Sequence, residues 1–239
     1  MKIIADVCCN HLEKRLIPEM IKLASENGID IVKFQLFDAD KLNKKFPDYI
    51  SNKLYYKKNQ IYNEDIKFIF KECLKYDIAP LCTLFDPDRE KPIFHWGAKV
   101  VKIGSAEAHR KEWVLDLCTR FETVFVSCGL IGYKLINEYR KIPQIKLFYC
   151  ISKYPLKSSE IDFERMKQFD GFSDHTQDIS SSKKALELGM EFIERHYTLG
   201  KFLPGKDHKI SSTPDEFLEL SQHKNYIEGK ENFKKRWYF

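Results

Sequence analysis

The sequence predicts an α/β fold, a single-domain (β/α)₈ barrel. Short β-rich runs alternate with helical patterns from one end to the other, the runs number eight, and 239 residues is a suitable length for eight such units. An open doubly wound sheet is the runner-up, but no glycine-rich phosphate loop follows the first run.

The β-rich runs are Lys2–Cys8, Ile29–Phe37, Ala79–Leu84, Val100–Ile103, Val124–Cys128, Lys146–Cys150, Gly171–Ser173 and Glu191–His196. Most are too apolar for alternation, as expected of strands buried on both faces. Between the first two, Ile17, Met20, Ile21 and Ala24 follow helical spacing, and Asn27-Gly28 ends the helix. Between the second and third, Ile66, Ile69, Phe70, Cys73 and Leu74 define a second apolar face. Near the end, Ala185–Leu188 closes on Gly189, a helix stop. Residues 38–63 read as one long irregular connection, rich in Asp, Asn, Lys and Tyr. Such a stretch is either a lid over a site or a surface excursion.

Composition narrows the function classes. The net charge of +5 is scattered, with basic runs no longer than Lys44-Lys45 or Lys234-Lys235-Arg236, so nucleic acid is not an expected partner. A mild positive balance favours an anionic substrate. No apolar stretch reaches membrane-span length, and Met-Lys-Ile-Ile-Ala opens a strand rather than a signal peptide. The seven cysteines show no CxxC pairing, and Cys8, Cys82, Cys128 and Cys150 lie in or beside apolar runs. They read as reduced thiols of a cytoplasmic protein, used as small hydrophobes.

Barrel chemistry sits where strands end. Those positions carry Asp6; Lys33 with Gln35; Thr83 with Asp86; Lys102 with Ser105 and Glu107; Ser127; Ser152 with Tyr154; Asp174 with His175; and Glu194 with His196. Lys33 and Lys102 stand inside apolar strands. A single strand lysine can snorkel to the surface. Two on different strands favour cations aimed into the barrel mouth, forming a phosphate cradle with Ser105, Ser127 and Gln35. His175 and His196 end adjacent strands, each near a carboxylate (Asp174 and Glu194) that can fix the imidazole tautomer. A lone histidine would read as a core residue; two at matching strand ends favour a divalent metal with open coordination positions. Asp207-His208 follows closely, His11 and His109 can line the mouth, and His95 and His223 read as surface residues.

One ordered series of motifs now stands out: Ile-Ile-Ala-Asp…Asn-His (3–11), Val-Lys-Phe-Gln (32–35), Thr-Leu-Phe-Asp (83–86), Val-Lys-Ile-Gly-Ser-Ala-Glu (101–107), Val-Ser-Cys-Gly (126–129), Tyr-Cys-Ile-Ser-Lys-Tyr-Pro (149–155), Gly-Phe-Ser-Asp-His-Thr (171–176), Ile-Glu-Arg-His-Tyr-Thr (193–198) and Asp-His…Ser…Pro-Asp-Glu (207–216). Together they resemble the sialic acid synthase family, which includes the N-acetylneuraminate, legionaminate and pseudaminate synthases. The resemblance implies condensation of phosphoenolpyruvate with an open-chain amino-sugar aldehyde. It also implies a divalent metal, manganese first with magnesium or cobalt as alternatives, on His175 and His196. It implies that Lys33, Gln35, Thr83, Lys102, Ser105, Ser127 and Ser152 bind substrate, and that Asp6, Glu107, Tyr154, Glu194 and Asp207 serve the catalytic side.

Three departures accompany the resemblance. Asp6 stands where the family usually has Glu. Ser152 stands where it usually has Asn, although some members carry Ser. The chain ends near the family's linker, so 230–239 is expected to be a linker remnant without the C-terminal antifreeze-like domain. Its expected partners are a second copy in a homodimer and an antifreeze-like domain on a separate chain. A catalytically inactive scaffold relative, or another metal-dependent aldol-type barrel enzyme, are the alternatives.

Overall fold

The computed structural model describes residues 1–42 and 47–238, with the side chains of 47–51 and 230–238 outside the description. Eight parallel strands pair in sequence order: β1 (Lys2–Asp6), β2 (Ile31–Leu36), β3 (Ala79–Leu84), β4 (Val100–Ile103), β5 (Thr123–Ser127), β6 (Ile145–Cys150), β7 (Gly171–Asp174) and β8 (Phe192–His196). β8 closes on β1, completing the predicted barrel. The helices are α1 (Ile17–Glu26), α2 (Pro47–Asn59), α3 (Asn63–Lys75), α4 (Glu90–His95), α5 (Lys111–Leu117), α6 (Tyr133–Tyr139), α7 (Phe163–Met166), α8 (Ser180–Glu187) and α9 (Pro214–Tyr238). None among the described residues is long and apolar enough to cross a membrane.

Alternation along each strand creates two cores. Outward residues such as Ile3, Ala5, Val32, Phe34, Val101 and Ile193 pack under the helices. Inward residues Ile4, Leu81, Phe125, Phe148 and Phe192 fill the barrel. Three of these are rings in mutual contact, with centroids 4.8–5.8 Å apart. Gly171 makes room for them: a Cβ there would stand 2.6 Å from the Phe148 ring. This apolar plug is the floor on which the polar residues nearer the strand ends rest.

The helices follow their predicted faces, with two differences. α1 buries Ile17, Met20, Ile21 and Ala24, and Gly28 turns the chain at φ 73°. α3 buries Ile66, Ile69, Phe70 and Cys73, but Leu74 is 78% exposed. Leu74 lies one step around the helix from Cys73 and falls off the apolar stripe. The second difference is the 38–63 connection, which contains helix α2 rather than irregular chain throughout. Asn52 interrupts that helix with φ −130°. α2 lacks a clean apolar stripe: Leu54 is exposed, whereas Tyr55 and Tyr56 pack near Phe37 and Cys9. Residues 43–46 lie outside the described residues.

All seven cysteines are free. Burial pushes the Cys73 and Cys128 thiols up to about 12, which keeps them protonated and unreactive near neutrality.

Candidate active site

The C-terminal ends of the strands surround a cavity of about 1090 Å³. All fourteen residues selected from the sequence line it: Asp6, Lys33, Gln35, Thr83, Lys102, Ser105, Glu107, Ser127, Ser152, Tyr154, His175, Glu194, His196 and Asp207. Barrel register explains the central group. β1 lies between β8 and β2, and Asp6 is level with both His196 and Lys33. Glu194 is level with Ser173 on β7.

A charged network rests on the aromatic floor. Lys102 Nζ lies 4.3 Å from the Phe148 ring centroid. It donates to Glu194 Oε1 at 2.6 Å and to Ser173 Oγ at 3.0 Å. Ser173 Oγ donates in turn to Glu194 Oε1 at 3.1 Å. Lys33 Nζ stands 3.2 Å from the same oxygen and 2.8 Å from Asp6 Oδ2. Both lysines are almost fully buried. Each is paired with at least one carboxylate. A bare ammonium in so dry a place would lose its proton, and the carboxylates keep it charged. Burial opposes ionisation of Glu194, but the lysines outweigh it and hold the carboxyl below its usual range. Burial likewise opposes the charge on Lys33, and Asp6 and Glu194 more than compensate. For Lys102 burial wins, so this ammonium gives up its proton more readily than an ordinary lysine.

Above the network stand the histidines and Tyr154. The His175 and His196 ring centroids are 5.4 Å apart, and the Tyr154 ring lies 4.3 Å from one and 5.8 Å from the other. His175 Nδ1 is 2.8 Å from the Ile151 carbonyl. It must donate there, so Nε2 carries the free lone pair. Burial lowers His175 to about 4, leaving a neutral ring near pH 7. His196 Nδ1 is buried without a hydrogen-bond partner among the described residues. These donors fit a divalent metal.

The expectation that Asp174 and Glu194 fix the histidine tautomers is corrected. Successive strand residues point to opposite faces. Ser173 and His175 line the cavity, whereas Asp174 turns out to Thr176, Ser182 and Arg195. Glu194 shares the inward face with His196, but its carboxylate engages the lysines. Arg195, also outward, holds Asp174, the Thr176 carbonyl and Ser212 Oγ. This buried cluster ties together the strands that carry the two histidines.

On the opposite side is a hydroxyl cluster. Gly129 N donates to Ser105 Oγ at 3.2 Å, and Ser105 Oγ lies 3.1 Å from Cys150 Sγ. A Cβ on Gly129 would stand 2.7 Å from Ser152 Oγ. Only glycine lets the backbone approach this closely. Nearby, Glu107 is raised to about 7 by burial, partly offset by Arg110. Thr83 Oγ1, Glu107 Oε2 and Glu194 Oε2 are buried without hydrogen-bond partners among the described residues.

Several lining residues were missed or misplaced. Ser173 and Cys150 each sit two positions before a selected residue, on the same strand face, and alternation was the available signal. Lys41, Arg110 and Lys206 add cations at the mouth, but they sit on loops whose paths follow no sequence period. Asp38, Lys41, Leu42, Asn52 and Tyr56 of the 38–63 connection also line the cavity, which favours the lid reading over a surface excursion, and Phe37 before them lines it too. His109 lines the mouth, as expected. His11 does not: it is buried and accepts from Lys14 N at 3.0 Å. His208 is buried beside Thr198 Oγ1 at 2.7 Å. His95 is exposed, while His223 is half-buried beside Glu187.

The sequence pattern described as the NeuB family matches residues 20–233. The N,N'-diacetyllegionaminic acid synthase of Campylobacter jejuni is 29% identical over 91% of this chain and 73% of its own length. The human N-acetylneuraminate-9-phosphate synthase is 25% identical over 95% and 70%, respectively. Among solved structures, the Bacillus subtilis spore coat polysaccharide biosynthesis protein SpsE superposes with a TM-score of 0.83 at 26% identity, over 97% of this chain and 69% of that one. The N-acetylneuraminic acid synthetase of Leptospira borgpetersenii gives 0.88 at 23% identity, over 95% and 83%, a likeness of fold. The match over residues 20–233 covers most of the sequence, and the chain belongs to the NeuB family.

Proposed function

We propose that this chain is a cytoplasmic synthase that condenses phosphoenolpyruvate with an open-chain amino-sugar aldehyde, forming a nonulosonic acid and phosphate for surface polysaccharide. The observation that carries this reading is the convergence on one cavity of a lysine–carboxylate network, a hydroxyl cluster and two imidazoles. A homodimer and a separate antifreeze-like chain are the partners proposed with it.

Lys33, Lys102, Gln35, Thr83 and the serines hold the phosphate and carboxylate of phosphoenolpyruvate. Carbon 3 of phosphoenolpyruvate attacks the aldehyde carbon, forming the C–C bond while the aldehyde oxygen takes up a proton. Water adds to carbon 2 and loses a proton, and the carbon 2–oxygen bond breaks to release phosphate and leave a ketone. A divalent metal held by His175 and His196, manganese or a similar ion, would polarise the aldehyde as a Lewis acid. Asp6 stays ionised and orients Lys33. Glu107 is suited to carry protons in both directions near pH 7. Glu194 fixes both ammonium groups, and Tyr154 and Asp207 shape the sugar side.

The test is release of inorganic phosphate from phosphoenolpyruvate in the presence of N-acetylated amino-sugar aldehydes. Phosphate release should stop in chelator and return with manganese, and His175→Ala or His196→Ala should lose bound metal. Full turnover in chelator with unchanged metal content in both variants would refute the metal site. No phosphate release with any such aldehyde would favour the inactive-scaffold reading.

Glu107 gives a pH signature. The wild-type profile of kcat/KM should show a limb near pH 7 that Glu107→Gln removes. Because the folded carboxyl is raised, its contribution to stability is full below about 4.5 and falls as pH rises through about 7. Glu107→Gln should flatten stability across that window. A limb that persists in the variant would assign it to another group.

A further inference from the structure

We propose that Cys8 is a further protein ligand of the metal site, joining His196 together with Asp6. This rests on the metal half of the proposed function. One ligand atom from each of these residues falls in a group whose members all lie within 4.8 Å of one another. Two ligands of one ion stand at most twice a metal–ligand bond apart, about 4.6 Å for zinc and sulfur. The group is thus within a few tenths of an ångström of coordinating distance with no ion present.

Two neighbouring parallel strands supply the group. Asp6 ends β1, and His196 ends β8 directly opposite it. Cys8 lies in the turn after β1, and its positive φ of 49° accompanies a thiol placed beside Asp6 and His196. Cys8 N donates to Asp6 Oδ1 at 3.1 Å. Its thiol is buried, and Gln35 Nε2 donates to Cys8 Sγ at 3.4 Å. His196 contributes the second observation: its Nδ1 is buried and unpartnered among the described residues. An imidazole nitrogen shut away from water without a partner is costly, and a bound ion satisfies it. His175 stands across the site with its Nε2 lone pair available.

The neighbouring Cys9 is not equivalent. It packs with Phe37 and Ala39 in a small apolar cluster, and it is absent from the donor group. When the metal–sulfur bond forms, the Cys8 S–H proton passes to solvent, and Asp6 supplies a carboxylate oxygen. One thiolate, one carboxylate and one or two imidazoles make a softer set than a histidine pair alone. Such a set shifts preference from magnesium and manganese toward cobalt and zinc.

Cobalt(II) is the probe, because a cobalt–thiolate bond produces a near-ultraviolet charge-transfer band. Metal-stripped full-length protein is titrated anaerobically with cobalt chloride, followed by absorbance and bound metal. The wild type and Cys9→Ser should bind one equivalent and show the band. Cys8→Gly and Cys8→Ser should lose it, with cobalt affinity falling about 10- to 100-fold. Cys8 has φ 49°, which glycine adopts freely, so Cys8→Gly should keep the fold. Cobalt bound without the band, or a band unchanged in both Cys8 variants, overturns the cysteine ligand and leaves the metal site standing. Wild-type protein that binds no cobalt overturns both.

Discussion

Arg195→Met is expected to destabilise the protein by about 3–5 kcal/mol, the cost of removing one partner of a buried ion pair. Arg195 and Asp174 have side chains only 1% and 0% exposed. Methionine fills much of the space but leaves Asp174 facing Thr176 and Ser182 without its cation. Asp174→Asn should also destabilise strongly, because it leaves the buried, permanently charged Arg195 guanidinium without its counter-charge. The double variant Arg195→Met/Asp174→Leu should recover much of the loss, since an apolar pair can replace a buried ionic one. Urea unfolding at constant slope is the measurement. A loss under about 1 kcal/mol for Arg195→Met would mean that water or a rearrangement satisfies Asp174. Because the cluster joins β7 to β8, the variant should also weaken metal binding at His175 and His196.

Lys102→Ala should lower kcat/KM for phosphoenolpyruvate by about 2–4 kcal/mol of transition-state stabilisation, roughly 30- to 900-fold. Lys102 Nζ is clamped by Glu194 and Ser173 above the Phe148 ring, so the charge is placed before substrate arrives. Preorganisation of this kind is what makes a buried ammonium worth more than a mobile surface one. From sequence, a lysine at an open mouth would be removable with little effect on folding. Its burial changes that expectation: the variant leaves Glu194 with Lys33 and Ser173 alone. Lys102→Met, which preserves the packing, separates the two effects. If it folds normally and retains wild-type kcat/KM, the phosphate role of Lys102 is wrong.

The sequence by itself determined the barrel and the polar strand-end residues of the cavity. Continuous apolar runs separated by 3.6-residue periodicity admit few architectures. Once the strands are counted, their C-terminal ends must meet at one mouth, so polar residues at those ends converge whatever their separation along the chain. That is why Asp6 and His196, nearly the whole chain apart, were both legible as site residues.

Tertiary structure alone decided how those residues are paired. Strand register sets Asp6 against Lys33 and His196, and the barrel interior brings Lys102 to Glu194. Neither follows from spacing in the sequence. Proximity along the chain misled for Asp174 and His175, because neighbours on a strand face opposite ways. Helix α2 was hidden because its residues show no regular apolar stripe, and Asn52 and Tyr56 on it line the cavity. The charge state of the lysines was equally invisible, since it depends on desolvation inside the barrel and on carboxylates delivered by β1 and β8.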